Sequence, residues 1–499
     1  MISADTRRKI LDAVDTGFDA QLATTRDFVA IPSTRGAEGP CQDMIGDLLR
    51  ERGYEVDDWH IDLDDLRELR GYGPIEHDFS KARTVVGTYR PRNNAGKSLI
   101  LQGHCDVVPA GPLDLWETPP FSPTVKDGKM YGRGACDMKS GTIGALYALD
   151  AIKAAGLKPT ARIHFQSVIE EESTGVGALS TLQRGYRADA CFIPEPTGGK
   201  MVRSQVGVIW FRLKVRGFPV HVSHAGSGSN AITAAYHLIH ALEKLEAEWN
   251  ERARADRHFK ALVHPINFNP GIIKGGDWAS SVPAWCDVDC RIAVLPGWSI
   301  ADCQKEILAC VSGAARDHRF LSNNPPDVEW SGFLSEGYEL TNSAEAEAAF
   351  GKAFTSVYGR EVQDLVFTAL TDTRFYGLNY RACASAPAVR RCMASTNMST
   401  WSRCGSRPRR PRCSLRSGAG SSRPDGAPHG EERRRRVSNH EARLRPHPSR
   451  RRFAAPQDEG LPTAPSSTDT PPLPRRSLRH LPGRSILSQK SLEGSRERR

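Results

Sequence analysis

Nowhere in its 499 residues does the chain carry the run of roughly 18–20 apolar residues that a membrane-spanning helix needs. Its first segment, Met1 to Asp15, is charged and polar and lacks the apolar centre of a secretion signal. A cytoplasmic protein without a membrane partner is therefore expected. The twelve cysteines show no C-x-x-C pair and no framework spacing, which speaks against a disulfide scaffold or a thiolate metal site and for reduced, mostly buried thiols. Lysine is nearly missing from the last 119 residues, which hold 26 Arg and one Lys.

That shortage changes the meaning of the net charge. The formal charge is +10, but residues 381–499 carry +18 and residues 1–380 carry −8. An evenly basic protein would suggest a nucleic-acid partner. Here the basicity belongs to the tail alone, and a phosphate-binding arm would draw on Lys as well as Arg. No functional nucleic-acid partner is expected. Abundant Pro and Ser and the loss of apolar periodicity after Tyr380 read as a disordered segment.

From Ala4 to about Tyr380 the pattern is that of an α/β protein. Segments 98–102, 163–169 and 190–193 read as buried strands, while Ile143, Leu146, Leu149 and Ile152 recur at helical spacing ahead of Gly156, a helix stop. From Val208 to Arg216, Ile209, Phe211, Leu213 and Val215 alternate with charged residues, as in a sheet with one wet face. A helix over 230–249, a strand over 284–295 and a helix over 300–315 follow. Residues 1–207 thus form the first part of one domain, 208–325 an inserted α+β module, 326–380 the return segment and 381–499 the tail.

Four polar clusters sit just after strands, where open α/β sheets place their sites. They are Gly103-His-Cys-Asp-Val-Val-Pro109, Tyr131-Gly-Arg-Gly-Ala-Cys-Asp-Met-Lys139, Glu170-Glu-Glu-Ser-Thr-Gly175 and Pro194-Glu-Pro196. One His and a string of carboxylates on one sheet edge would concentrate negative charge unless a cation lies among them. A mixed imidazole and carboxylate set suits zinc or a similar first-row ion better than magnesium or calcium. His164 and His264 read as surface or satisfied core residues, Glu170 as scaffold, and Gly132-Arg-Gly134 as a turn presenting Asp137. A Cys105 nucleophile is the weaker alternative to metal chemistry.

Over residues 15–380 these ordered motifs resemble the dinuclear zinc deacylases that include acetylornithine deacetylase, succinyl-diaminopimelate desuccinylase, aminoacylase and carboxypeptidase G. The resemblance implies a zinc-peptidase-like catalytic domain with a mixed, mostly parallel sheet flanked by helices, plus an α+β lid that dimerises. It implies two zinc or cobalt ions. His104, Asp137 and Glu195 would hold one, Asp137 would bridge to the other with Glu172, Asp106 would orient the His104 ring, and Glu171 would be the general base. Val215-Arg-Gly-Phe-Pro-Val-His221, Gly228-Ser-Asn-Ala-Ile232 and Asp289-Cys-Arg-Ile-Ala-Val-Leu-Pro-Gly297 match the lid. By that likeness His221 reaches a partner subunit's site and stabilises the oxyanion, while Asn230 and Arg291 bind substrate, Arg291 as a carboxylate clamp. The implied activity removes an acyl group from an N-acyl amino acid or related amine. Dipeptidase and carbamoylase members share the metal motifs, and a catalytically silent binding homologue is the rival from another class.

The chain departs from this family at one point. After Leu370-Thr-Asp-Thr-Arg-Phe-Tyr-Gly377 a further zinc-ligand His should appear in a Gly-rich segment, and none does. Joining the third base of each codon from Cys392 to Ser402 to the first two of the next permits the text HGFNEYVDLE, the missing motif. Cys383 to Arg391 permit CFGPSGEAM in the same frame. We read residues from about 381 onward as a frameshifted translation of a GC-rich gene, which accounts for the Arg bias without a function.

Overall fold

The computed structural model describes residues 2–341 and 343–379, together with the short strands Cys383–Ser385 and Ser399–Thr400. All belong to one compact unit, Met1–Cys413. The expectations for the tail otherwise lie outside the described residues.

Strand Leu99–His104 runs through the middle of a six-stranded sheet, with Ile163–Val168 and Ala190–Ile193 parallel on its two sides. Arg83–Tyr89 and Glu55–His60 extend the sheet antiparallel beyond Ile163–Val168, so it is mixed as expected. Every residue of Ile163–Val168 is buried, the mark of a strand covered on both faces. Cys383–Ser385 adds a sixth strand in parallel with Ala190–Ile193, where disorder was expected from 381. Such a ladder needs only backbone N–H and C=O groups. Helix Ala4–Ala30 is capped by the Ser3 hydroxyl, and helix Ser140–Ala154 buries Ile143, Leu146 and Leu149 in the core beneath the sheet.

The inserted module is a four-stranded antiparallel sheet under two helices. Gly207–Arg216 is flanked by Trp285–Val294 and Asp327–Ser335, and Phe268–Gly275 forms the far edge beyond Trp285–Val294. Ile209, Phe211, Leu213 and Val215 pack against Leu238, Leu242, Ile307 and Val311 of helices Ala231–Ala253 and Ile300–Arg316. The alternate residues Val208, Trp210 and Arg212 point the other way. Asp327–Ser335 corrects the boundary at 325: it pairs with Gly207–Arg216 and belongs to the module's sheet rather than to the return segment. Among the described residues no helix is long and apolar enough to cross a membrane.

Candidate metal centre

His104 ends the central strand with its side chain buried. Its Nδ1 lies 2.9 Å from the Asp106 carbonyl oxygen and 3.5 Å from the Asp106 carboxylate, so backbone and side chain together orient the ring. Its Nε2 faces carboxylates from three other places in the sequence: Asp137 at 3.2 Å, Glu171 at 3.8 Å and Glu195 at 4.0 Å. The donor atoms form two groups that share His104, one with Glu171 and Glu195 and one with Asp137 and Glu172. All five residues named from the motifs therefore meet. The grouping differs from the expected division in seating Glu171 with Glu195.

Local structure explains how each carboxylate arrives there. Asp137 follows Gly134, whose φ of +76° suits glycine and whose added Cβ would stand 2.4 Å from Val107, so the glycine pair shapes the turn. Glu170, at φ +65°, accepts from Arg35 at 2.8 and 3.1 Å, from Ser173 at 3.0 Å and from Thr174 at 2.9 Å, which makes it the knot of the turn that projects Glu171 and Glu172. The Glu172 amide donates to Asp106 at 3.1 Å. Arg374, buried, donates to the Thr174 carbonyl at 2.8 Å and pins the turn from behind.

Electrostatics separates this cluster from ordinary surface acids. Burial, with neighbouring carboxylates adding, holds Glu171 and Glu195 well above the usual carboxylate range and pushes Glu172 up to about 8. Burial alone would depress His104, but the Asp106 and Asp137 carboxylates beside it carry it well above its ordinary value. Glu195 Oε1 and Asp106 Oδ1 are buried with no hydrogen-bond partner. A set of this kind has more carboxylates than one imidazole can balance, and a bound divalent cation supplies the missing positive charge. The residues present therefore fit a metal centre.

The cluster forms the floor of a cavity of about 500 Å³. Asp137, Glu171, Glu172 and Glu195 line it from the catalytic sheet, and Arg291, Trp210 and Arg212 line it from the polar face of the inserted sheet. His221 and Asn230 do not line it. His221 is exposed, with Nδ1 2.8 Å from the Ser223 hydroxyl, and Asn230 caps helix Ala231–Ala253 by accepting from the amides of Ile232 and Thr233 at 2.9 and 3.2 Å.

Residues 100–394 match the family described as peptidase family M20/M25/M40. The chain belongs to the M20 peptidase family. Among its relatives, a succinyl-diaminopimelate desuccinylase from Azoarcus is 32% identical over 307 residues, 58% of this chain and 74% of that protein. An N-formyl-4-amino-5-aminomethyl-2-methylpyrimidine deformylase from Halalkalibacterium halodurans is 26% identical over 385 residues, 73% of this chain and 86% of the relative. The fold matches that of human carnosine dipeptidase 1 with a TM-score of 0.60 at 17% identity, covering 76% of this chain and 92% of that one. As an M20 member this chain is a metallohydrolase of amide bonds.

The remaining candidates fall as the bland readings had them. His164 is a buried residue whose Nδ1 lies 2.9 Å from the Thr88 hydroxyl. Burial pushes the Cys105 thiol well up, away from the thiolate that a nucleophile needs. Cys41, Cys105, Cys286, Cys290, Cys303 and Cys310 are free thiols. Sequence reasoning missed Arg35, Asp372 and Arg374. Asp372 is buried with neither carboxylate oxygen hydrogen-bonded, and burial pushes it up to about 7. The signal was present in Leu370 to Gly377, which had served only to mark where the next motif should begin.

Proposed function

We propose that the chain is a cytoplasmic zinc- or cobalt-dependent deacylase, built to remove an acyl group from an N-acyl amino acid or related amine. The observation that carries this reading is the pair of three-donor groups sharing His104 at the floor of a cavity whose opposite wall presents Arg291. His104, Asp137, Glu172 and Glu195 would hold the ions, with Asp106 fixing the His104 ring. A bound pair of divalent ions supplies Lewis acidity and lowers the pKa of a nearby water. Glu171, buried at the cavity floor, takes the proton from the attacking water and returns it to the departing amine. Arg291 takes the carboxylate of the amino acid through charge-assisted hydrogen bonds. His221 and Asn230 act from the lid, His221 toward a second subunit, in a homodimer formed through the inserted module.

As written the chain offers the second ion only Asp137 and Glu172, because the single Nε2 lone pair of His104 serves the first ion and no His follows Gly377 in the expected segment. That favours impaired turnover in this chain and full activity only after correction of the reading frame. The test is hydrolysis of N-acyl amino acids with added zinc or cobalt by the frame-corrected protein. Glu171→Gln is expected to lower kcat by about 10²–10⁴-fold while metal content is unchanged. Absence of amide cleavage across acetyl, succinyl, formyl and dipeptide substrates would sink the reading.

A further inference from the structure

Among the described residues three arginines line the cavity, and two are already paired. Arg35 donates to Glu170 at 2.8 and 3.1 Å, and Arg212 donates to Asp289 at 2.5 Å and lies 3.3 Å from Glu76. Arg291 differs. Its one hydrogen bond among the described residues runs from Nη1 to the Asn267 carbonyl at 3.3 Å, and burial depresses it with no carboxylate to offset the loss. A single ligand anion is what this cation lacks.

The wall beside it is apolar. Strand register places Trp210 directly across from Arg291, so indole and guanidinium emerge side by side from the polar face of the inserted sheet. Trp210 meets Phe333 edge to face with ring centroids 5.1 Å apart, and Phe367, Leu370 and Ile272 continue the surface. Gly332, at φ +54°, keeps the space beside the indole open, because an added Cβ would stand 2.4 Å from a Trp210 ring carbon. The other charges facing the cavity are acids: Glu76 and Asp289, which hold Arg212, and the carboxylates of the floor. A second ligand carboxylate would find no free cation among the described residues to receive it and several like charges around it.

We propose that the cavity selects amides carrying one carboxylate and one aromatic or large apolar group, with Arg291 receiving the carboxylate and Trp210 with Phe333 receiving the apolar group. The proposal deepens the deacylase reading and rests on it for the site. It sets this chain apart from an enzyme of N-succinyl amino acids, whose acyl group brings an additional carboxylate.

Calorimetric titration of the full chain supplied with zinc tests this without relying on turnover. N-acetyl-L-phenylalanine should bind about tenfold or more tightly than N-acetylglycine, N-succinyl-L-phenylalanine and N-acetylphenethylamine, which lack the ring, add a carboxylate and lack the carboxylate in turn. R291M should bring the affinity for N-acetyl-L-phenylalanine down to that for N-acetylphenethylamine and leave the latter unchanged. Equal or tighter binding of the succinyl compound, equal binding of N-acetylglycine, or no binding at all would overturn the proposal, and these comparisons on the unaltered chain stand even if the variant fails to fold. The expected binding order with no cleavage by the frame-corrected enzyme would sink the deacylase reading alone. Cleavage of succinyl amides with the reverse order would sink the selectivity alone.

Discussion

Glu38, at the start of helix Gly39–Glu51, is 5% exposed, and burial, with the charges of Asp106 and Glu170 adding, pushes its carboxyl up to about 7. A folded-state pKa above the unfolded value means that the protonated form is the one folding favours. Its stabilising contribution is complete below about pH 4.5 and disappears as the pH rises through 7. Glu38→Gln keeps an oxygen to accept from the Gly36 amide, now bonded at 3.0 Å, and cannot ionise. The variant should therefore melt at a higher temperature than the parent at pH 8 and within a degree or so of it at pH 4.5. A difference that is the same at both values would show that Glu38 is not titrating in the folded chain. The same physics acts on Glu171, Glu172 and Glu195, with the difference that there the clustered donors can be relieved by a cation.

The turn after strand Ile163–Val168 and the edge of the inserted sheet are the two elements on which function most depends. Arg35 grips the turn at Glu170 and Arg374 grips it at Thr174, although these arginines lie far apart in the chain. That distance is why neither was legible: strand-end motifs announce themselves by spacing, whereas a long-range hydrogen bond leaves no local pattern. The elements themselves were readable, because alternation over 208–216 and helical spacing over 143–152 follow directly from which face is buried. The module boundary was misjudged since Asp327–Ser335 is half exposed and lacks that alternation, with the register shifting between Ser331 and Leu334. His104, Asp137, Glu172 and Glu195 were legible because each closes a strand or opens a turn. At the module's far edge, Phe268–Gly275 pairs among the described residues with Trp285–Val294 alone and is exposed over Asn269–Gly275, with Ile273 45% and nearby Trp278 73% exposed. An open apolar edge of this kind invites a second copy. In size-exclusion chromatography with light scattering the parent should run with the mass of the proposed homodimer and Ile273→Lys combined with Trp278→Arg with that of a monomer; a monomeric parent would sink the dimer proposal, and an unchanged dimer mass in the variant would move its contact off this edge.

At the scale of the whole molecule, a folded M20 metallohydrolase is joined to a tail read as out of frame. The coding sequence around codon 381 bears on the second half of that statement, and a nucleotide sequence unable to encode HGFNEYVDLE in any frame would remove it. The first half rests on a metal satisfying carboxylates that three separate segments bring to one imidazole. Zinc content per chain, measured by elemental analysis after exhaustive dialysis of zinc-loaded protein, probes it most directly. We expect close to one tightly held zinc in the 499-residue chain and none in His104→Ala. No retained zinc in the parent chain would contradict the metal centre, and two per chain would contradict the incomplete second site.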